Sequence, residues 1–387
     1  MCSIPFDYSD LVRITQAQSS AIRSALSKRP DVRKALREYV HQKGLDLSAF
    51  STDYVRSARL PIEHQITDSM SEGEMTHISR PEGLKNLHNQ GITGKGVTVA
   101  VVDSGIAPHP DLKDRIVTFR DFTSGRRTVK KSPLDPTGHG THVAGIIAGH
   151  GSEIKGIAPE AELIGLRINS EEEAIRAIDW AIANKEKYSI DILNLSLGVD
   201  APKNPAEDEF RKAAERAVQA GLIVVAAAGN ECHGTSCRST ISSPGISPDV
   251  ITVGALDDKG TVKQSDDVVY ATSSRGKENG GKPDLIAEGV NVLAPLASKS
   301  SFARGLAKSA NYVALAGSSQ AAPMVSGTIA LMLEANPDLN QREVKQILKM
   351  TADTIPGFDK AAQGAGRLDI KGAVMSAKRR ASTPRKV

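Results

Sequence analysis

The stretch VAVVDSGIAPHPDL, residues 99–112, begins as an apolar run of strand length and reaches Asp103 where that run stops. Four similar apolar runs follow, at residues 161–167, 190–195, 222–228 and 250–253. Helical patterns lie between or after them, at residues 170–187, 207–220, 324–334 and 341–350. Apolar strands alternating with helices are typical of a mostly parallel sheet with helices on both faces. The sequence therefore predicts an α/β fold, with functional residues at the carboxyl ends of the strands.

The composition excludes several classes of protein. Of the 387 residues, 40% are hydrophobic and 24% are charged, as in a folded globular protein. No run approaches the roughly 20 apolar residues that span a bilayer, so we expect no membrane partner. The formal charge is +4, but the last ten residues carry five basic and no acidic side chains, and subtracting these five leaves −1. A near-neutral body argues against a nucleic-acid partner.

Composition divides the chain into three regions. Residues 1–80 contain only two glycines and predict a helix-rich N-terminal region, either a pro-region or a retained accessory extension. Residues 81–375 carry the α/β pattern, and residues 376–387 are predicted to be a basic flexible tail. Asp7 and Asp10 lie where a signal peptide needs an apolar run. We therefore expect a cytoplasmic protein, or alternatively one secreted without a recognisable signal peptide.

Three motifs place reactive side chains where such a sheet presents them. Asp103 follows a strand, His139 opens a helix in DPTGHGTHVAGIIAG (135–149), and Ser319 opens another in AGSSQAAPMVSG (316–327). A serine is a weak nucleophile unless a base removes its proton, and that base needs a carboxylate to hold its tautomer. These residues supply those three chemical types. Asn230, in AAAGNE, could donate to an oxyanion, although taken alone it is better explained as a turn residue.

Together, VVDSG, GHGTHVAG, SLG, AAGN and GSSQAAP resemble the subtilisin family of serine peptidases over roughly residues 81–375. The order Asp, His, Ser and the oxyanion asparagine are known features of subtilisin itself. The resemblance implies a subtilisin-like fold and an endopeptidase that forms an acyl-enzyme. In that mechanism Asp103 orients His139, and His139 acts as general base and then acid. Ser319 is the nucleophile, and Asn230 is the oxyanion donor.

The resemblance also implies the position of the substrate cleft. Ser196, Leu197 and Gly198 would form one edge by pairing their backbone with an extended peptide. A run of four small residues would line the primary pocket, with an acidic residue at its mouth: Ala226, Ala227, Ala228, Gly229 and Glu231. The segment before the helix that contains Trp180 is short, and it lacks the glycine-rich stretch that normally forms the second edge.

The implied chemistry requires no cofactor. The resemblance leaves open whether the protein binds a structural calcium ion. Asp111 matches one of the family's calcium ligands, but one carboxylate cannot supply the roughly six to eight oxygens that calcium takes. Cys232 and Cys237 flank His233 and leave three alternatives: a local disulfide, half of a metal site, or two free thiols. We expect thiols in a reducing cytosol and a disulfide if the protein is exported.

The N-terminal region gains a second interpretation from the resemblance, because many relatives carry a pro-region there. Residues 1–80 are expected to inhibit the enzyme within the same chain until self-cleavage between about Ser69 and Arg80. The expected partners are thus protein or peptide substrates and this N-terminal region. The alternative function is a catalytically silent, subtilisin-like scaffold that binds peptides. A nucleotide-binding enzyme is disfavoured, because no GxGxxG or GxxxxGK[ST] sequence follows the first strand.

Overall fold

The computed structural model describes residues 76–77, 83–123, 132–152, 154–233, 237–261, 263–278, 280–303 and 311–381. The predicted N-terminal pro-region or extension therefore lies outside the described residues, except for the backbone of residues 76–77. The end of the predicted tail, from residue 382 onward, also lies outside them. Within the described residues, no helix is long and apolar enough to cross a membrane.

Eleven strands form two sheets in the described part of the chain. They are β1 (Thr76–His77), β2 (Thr98–Asp103), β3 (Ile116–Asp121), β4 (Glu162–Arg167), β5 (Ile190–Leu195), β6 (Ile223–Ala227), β7 (Ile251–Asp257), β8 (Val268–Val269), β9 (Leu285–Glu288), β10 (Val292–Pro295) and β11 (Tyr312–Leu315). The larger sheet has the order β3-β4-β2-β5-β6-β7-β8, and β9 also pairs with β7. Its pairings are parallel except for β7–β8. The smaller sheet has the order β1-β10-β11.

Nine α-helices accompany these strands within the described ranges. They are α1 (Leu84–Asn89), α2 (His139–Ala148), α3 (Glu171–Ala183), α4 (Lys185–Tyr188), α5 (Glu209–Gln219), α6 (Ser318–Ala335), α7 (Gln341–Thr351), α8 (Lys360–Gln363) and α9 (Ile370–Ala381). The predicted α/β class, with a mostly parallel sheet, is confirmed.

Strand β2 shows how the larger sheet divides the interior. All six of its residues are buried. Val99 and Val101 pack into the core that contains α2 and α6, whereas Ala100 and Val102 pack into the core that contains α3 and α5. Alternate side chains of a strand point to opposite faces, so a strand covered on both faces is apolar throughout. This double burial explains the apolar run in the sequence.

Helix α6 occupies the centre of the larger core. Sixteen of its residues are buried, and it packs against β5, β6, β7 and β9 as well as against helices α2 and α9. A Cβ on Gly327 would lie 2.6 Å from the Ile157 side chain, so a glycine is required where the helix meets this neighbour. The helix that carries Ser319 is therefore held on all sides.

The predicted start of the flexible tail, at residue 376, lies too early in the chain. Helix α9 continues to Ala381, so residues 376–381 are helical rather than part of a tail. The reason is packing, because Ala377 is fully buried and its carbonyl oxygen accepts a hydrogen bond of 3.1 Å from Asn336 Nδ2.

Candidate active site

The carboxyl end of β2 meets the beginning of α2. Asp103 is the last residue of β2, His139 is the first residue of α2, and both are buried. His139 Nδ1 lies 2.8 Å from Asp103 Oδ1, which also accepts a hydrogen bond of 2.7 Å from the Ser104 amide. Because the carboxylate engages Nδ1, the Nε2 nitrogen is left to accept a proton.

Gly140 permits this approach. A Cβ at this position would lie 2.0 Å from the carbonyl oxygen of Gly105 and 3.0 Å from Asp103 Cβ. The contact with Gly105 is not tolerated, so any larger residue would push α2 away from the loop after β2. The glycine that follows His139 in the motif therefore has a steric reason to be there.

The charges around His139 favour its protonated form. Burial lowers the pKa of His139, but the negative charge of Asp103, the hydrogen bond to it and the charge of Asp135 together raise that pKa above 6.5. His142, one turn further along α2, differs. Burial and the nearby His139 lower the pKa of His142 to about 3, so it stays neutral. Its Nε2 lies 3.0 Å from the carbonyl oxygen of Val292 and 3.1 Å from that of Val313.

Ser319 and Asn230 come together at the start of α6. Ser319 is the second residue of this helix, and Asn230 Oδ1 accepts a hydrogen bond of 2.9 Å from the Ser318 amide. Asn230 Nδ2 is buried without a hydrogen-bond partner. A Cβ on Gly317 would lie 2.9 Å from that nitrogen, so glycine keeps the space beside the amide clear. A buried unpaired donor is costly, which makes this amide a candidate for binding a ligand.

The two pairs lie on helices that pack together, since α2 contacts α6. No hydrogen bond joins the Ser319 hydroxyl to His139 in the described part of the chain. Such bonds are often long before substrate binds.

The predicted cleft edge is well anchored. Ser196 and Leu197 are buried, and Gly198 is half-buried. Val199 exchanges two backbone hydrogen bonds of 2.9 Å with Ser243. Asn194 Nδ2 donates to Ser196 Oγ at 2.9 Å, and Asn194 Oδ1 accepts from the Ser326 hydroxyl at 2.8 Å. Asn194 therefore ties this edge to helix α6, a link that the sequence did not predict.

The predicted pocket residues do not all face one space. The side chains of Ala226 and Ala227 pack into the cores on opposite faces of the sheet, so they can contribute to a pocket only through their backbone. Ala228 is also buried, whereas Gly229 is half-buried. The Glu231 amide donates to Ser274 Oγ at 3.0 Å, which holds this residue one position beyond Asn230.

The proposed calcium ligand is already engaged. Asp111 Oδ2 accepts a hydrogen bond of 2.9 Å from the Tyr312 hydroxyl. Among the described residues, no group of three His, Cys, Asp or Glu side chains could hold a metal ion. The described residues therefore provide no carboxylate cluster for a calcium ion at Asp111. Cys232 and Cys237 form a disulfide, which is the first of the three alternatives that the sequence left open.

Asp135 is a buried carboxylate to which the sequence assigned no role. It is 5% exposed and accepts hydrogen bonds from the first turn of α2. Sequence reasoning missed it because it lies four residues before His139, whereas a capping carboxylate is expected one residue before the helix, at the N-cap occupied here by Gly138.

Comparison with known proteins agrees with this fold. Residues 94–372 match the subtilase family. The chain is 42% identical to the serine protease AprX of Bacillus subtilis (strain 168) over 308 residues, which are 74% of this chain and 68% of the relative. It is 34% identical to the major intracellular serine protease of the same organism, over 69% of this chain and 79% of the relative.

Solved structures support the same assignment. Sphericase is 28% identical, with a TM-score of 0.62 over 74% of this chain and 97% of that structure. The S41 psychrophilic protease is 26% identical, with a TM-score of 0.63 over 76% of this chain and 99% of that structure. The chain therefore belongs to the subtilase family, and it is a serine endopeptidase. Subtilases need no cofactor for catalysis.

Proposed function

We propose that Asp103, His139 and Ser319 form the catalytic triad of this endopeptidase and that Asn230 donates to the oxyanion. The hydrogen bond of 2.8 Å between His139 Nδ1 and Asp103 Oδ1 carries this proposal. It uses one imidazole nitrogen for orientation and leaves Nε2 for proton transfer. The unpaired Asn230 Nδ2 supports the second part, because it is a preformed donor beside the helix that carries Ser319.

In the first chemical step, Ser319 Oγ attacks the carbonyl carbon of the scissile peptide bond while its proton passes to His139 Nε2. The carbonyl oxygen becomes an oxyanion, to which Asn230 Nδ2 donates and which the positive end of helix α6 stabilises. His139 then gives the proton to the leaving amine, the C–N bond breaks, and the acyl group stays on Ser319 as an ester. Water attacks this ester with His139 again as base, releasing the acid and restoring the hydroxyl.

An irreversible sulfonyl fluoride followed by peptide mapping tests the nucleophile. We expect the label at Ser319 in the wild-type enzyme and no label in the Ser319→Ala or His139→Ala variants. The Ser319→Ala variant should fold normally and lose turnover. Appreciable peptidase activity in that variant, or labelling at a different serine, would contradict the assignment. A folded wild-type protein that binds peptides but takes no label would instead favour the silent scaffold.

We infer that an extended peptide pairs with the backbone of Ser196, Leu197 and Gly198, and that the primary pocket accepts apolar and also basic side chains. Gly229 beside Asn230 is half-buried and therefore partly accessible, and Glu231 adds negative charge. An ion pair with the partly exposed Glu231 is screened by solvent and worth only about 1 kcal/mol or less, so basic residues are tolerated rather than required. A peptide library should show this profile, and Glu231→Gln should reduce cleavage after Lys and Arg alone. A strong preference for acidic P1 residues would contradict it.

We also infer that the residues before β1 are a self-removed, inhibitory pro-region. Thr76 and His77 pair in parallel with Val292 and Leu293 of β10. A cut that retains this strand falls before Thr76, in the first half of the expected 69–80 interval. The Ser319→Ala variant should therefore accumulate at full length, and mass spectrometry of the active enzyme should place its first residue at or before Thr76. Trimming of the purified variant would contradict self-cleavage.

A cytoplasmic location is our proposal for the compartment, supported by the similarity to the major intracellular serine protease. The disulfide between Cys232 and Cys237 argues the other way, because the cytosol keeps most thiols reduced. Cell fractionation combined with alkylation of free thiols distinguishes the two. We expect the protein to fractionate with cytosolic markers, and recovery in the culture medium would overturn this.

A further inference from the structure

Five hydrogen-bond donors converge on the carboxylate of Asp135. Its Oδ1 accepts from the Ser104 hydroxyl at 2.9 Å, the Thr137 amide at 3.1 Å and the Gly138 amide at 2.8 Å. Its Oδ2 accepts from the Thr141 amide at 2.8 Å and the Thr141 hydroxyl at 2.7 Å. These donors belong to two separate segments, the loop after β2 and the beginning of α2. One buried side chain therefore joins the elements that carry Asp103 and His139.

The two hydroxyl groups are fixed in direction by further bonds. Ser104 Oγ accepts from the Gly140 amide at 3.1 Å, and Thr141 Oγ1 accepts from the Ala107 amide at 2.9 Å. Each hydroxyl therefore receives a backbone N–H and points its own hydrogen at Asp135. Burial raises the pKa of Asp135, whereas the hydrogen bonds from Gly138 and Thr141 lower it and favour the ionised carboxylate.

The carboxylate of Asp135 also lies close to the catalytic pair. Ser104 bridges the two acids, because its amide donates to Asp103 Oδ1 while its hydroxyl donates to Asp135 Oδ1. Among the described residues, no lysine or arginine forms an ion pair with Asp135. The titratable groups whose charges it feels or influences are Asp103 and His139. Neutral donors hold the carboxylate without cancelling its field.

We propose that Asp135 is a positioning residue for the Asp103–His139 pair. Its carboxylate holds β2 and α2 in register, and its uncompensated charge stabilises the imidazolium that forms when Ser319 gives up its proton. This inference rests on the triad proposed above and adds to it a second carboxylate that touches neither the substrate nor the reacting atoms.

The test compares Asp135→Asn with Asp284→Asn, which removes a buried carboxylate from the opposite edge of the sheet. In Asp135→Asn, an NH₂ group faces backbone donors and the negative charge is lost. We expect kcat to fall by about 10–100-fold, because small misplacements of reacting groups have effects of that size. We also expect the acid limb of kcat/KM to move to lower pH, since His139 loses a charge that raises its pKa.

The control separates positioning from general destabilisation. Asp284→Asn should lower stability but leave kcat and the acid limb unchanged when both are measured well below its melting temperature. The low-field proton resonance of His139 Nδ1–H gives a second measure of the pKa that needs no substrate. An Asp135→Asn enzyme with kcat within twofold of wild type and an unmoved acid limb would overturn the proposal. The same shift in Asp284→Asn would also overturn it.

A second pair of variants applies if Asp135→Asn does not fold. Ser104→Ala removes one donor to Asp135, and Ser247→Ala removes a comparable hydroxyl donor to Glu215 at 2.9 Å, away from the site. We expect a several-fold loss of kcat with unchanged KM only in Ser104→Ala, and equal kcat in both would overturn the proposal. Sulfonyl fluoride mapping is run in parallel. Failure to label Ser319 in the wild type defeats the triad assignment, whereas the His139 resonance still reports on Asp135.

Discussion

Two buried carboxylates lie near opposite ends of the strands of the larger sheet, and their hydrogen-bond and ion-pair partners differ. The carboxyl edge and the amino edge are the sides of the sheet at which the parallel strands end and begin. Asp135, at the carboxyl edge, accepts only from neutral donors. Asp284, at the amino edge just before β9, lies 2.8 Å from Lys282 Nζ, 3.1 Å from Lys345 Nζ and 3.7 Å from Lys349 Nζ. Lys282 Nζ also donates to the Val250 carbonyl at 2.6 Å and to a threonine hydroxyl at 2.7 Å.

The difference separates two uses of a buried charge. At the amino edge, ammonium groups neutralise the carboxylate locally, so little of its field extends beyond the cluster and its effect is on stability. At the carboxyl edge, hydrogen bonds fix the carboxylate without neutralising it, so its field reaches His139. Changes at the catalytic edge should therefore alter kcat, whereas changes at the amino edge should alter the free energy of unfolding.

The largest effect is expected from the loss of the buried amide of Asn230, compared with the loss of the buried amide of Gln341. Asn230→Ala should lower kcat by about 10²–10³ with little change in KM, the magnitude known for the oxyanion-hole asparagine of subtilisin itself. The matched variant is Gln341→Ala, whose amide bonds the Val224 backbone and the Asp249 carbonyl at the amino edge. It should lower the melting temperature and leave kcat intact. A rise in KM at unchanged kcat would show instead that Asn230 contributes to substrate binding and not to stabilisation of the oxyanion.

Breaking the charge cluster at the amino edge comes next. Asp284→Asn leaves the buried Lys282 ammonium without its carboxylate, and loss of one partner of a buried pair costs about 3–5 kcal/mol. Urea unfolding at pH 6 in the Ser319→Ala background measures this without self-digestion. A change below about 1 kcal/mol, the range of exposed pairs, would show that the cluster carries little stability.

Lys282 should make the stability of the protein depend on pH. Burial lowers the pKa of Lys282 to about 7, from 10.5 for an exposed lysine. Between these pH values the unfolded chain binds more protons than the folded one, so the contribution of Lys282 to the free energy of unfolding rises with pH. Lys282→Met should remove this rise when unfolding is followed at pH 7 and at pH 10. Parallel curves for both proteins would contradict it.

The smallest effect is expected at an exposed pair. Arg216 of α5 lies 2.8 Å from Asp179 of α3, with both side chains about half exposed. Arg216→Ala should change the free energy of unfolding by about 0–1 kcal/mol, because solvent screens the pair. Thermal unfolding in the Ser319→Ala background gives the value. A loss above about 2 kcal/mol would show that solvent exposure does not explain the difference in stability between this pair and the buried Asp284 cluster.

The sequence predicted the parts of the fold that local pattern determines. Strands β2, β5 and β6 are buried on both faces, so each is an apolar run, and their predicted boundaries were close to those observed. Strand β3 was missed, because it lies at the edge of the sheet and only two of its six residues are buried. Strands β10 and β11 were missed because they are short and pair with each other across a long connection.

The same limit applies to the site. Asp103, His139, Ser319 and Asn230 were predicted because each lies in a motif that can be recognised locally. The environment of Asp135 depends on two segments about thirty residues apart, and no local pattern shows whether a carboxylate meets amides or ammonium groups. Likewise, the alanines before Asn230 were expected to line a pocket, but the pleat of β6 turns successive side chains to opposite faces.

The burial of helix α6 has a consequence for how this enzyme loses activity in solution. Its backbone amides can exchange with deuterium only when the surrounding domain opens, so a molecule that has lost α6 has lost its tertiary structure as well. Each copy is then either a complete peptidase or an unfolded chain that its neighbours can digest. Inactivation near the melting temperature should therefore accelerate with enzyme concentration, as a reaction between two molecules does.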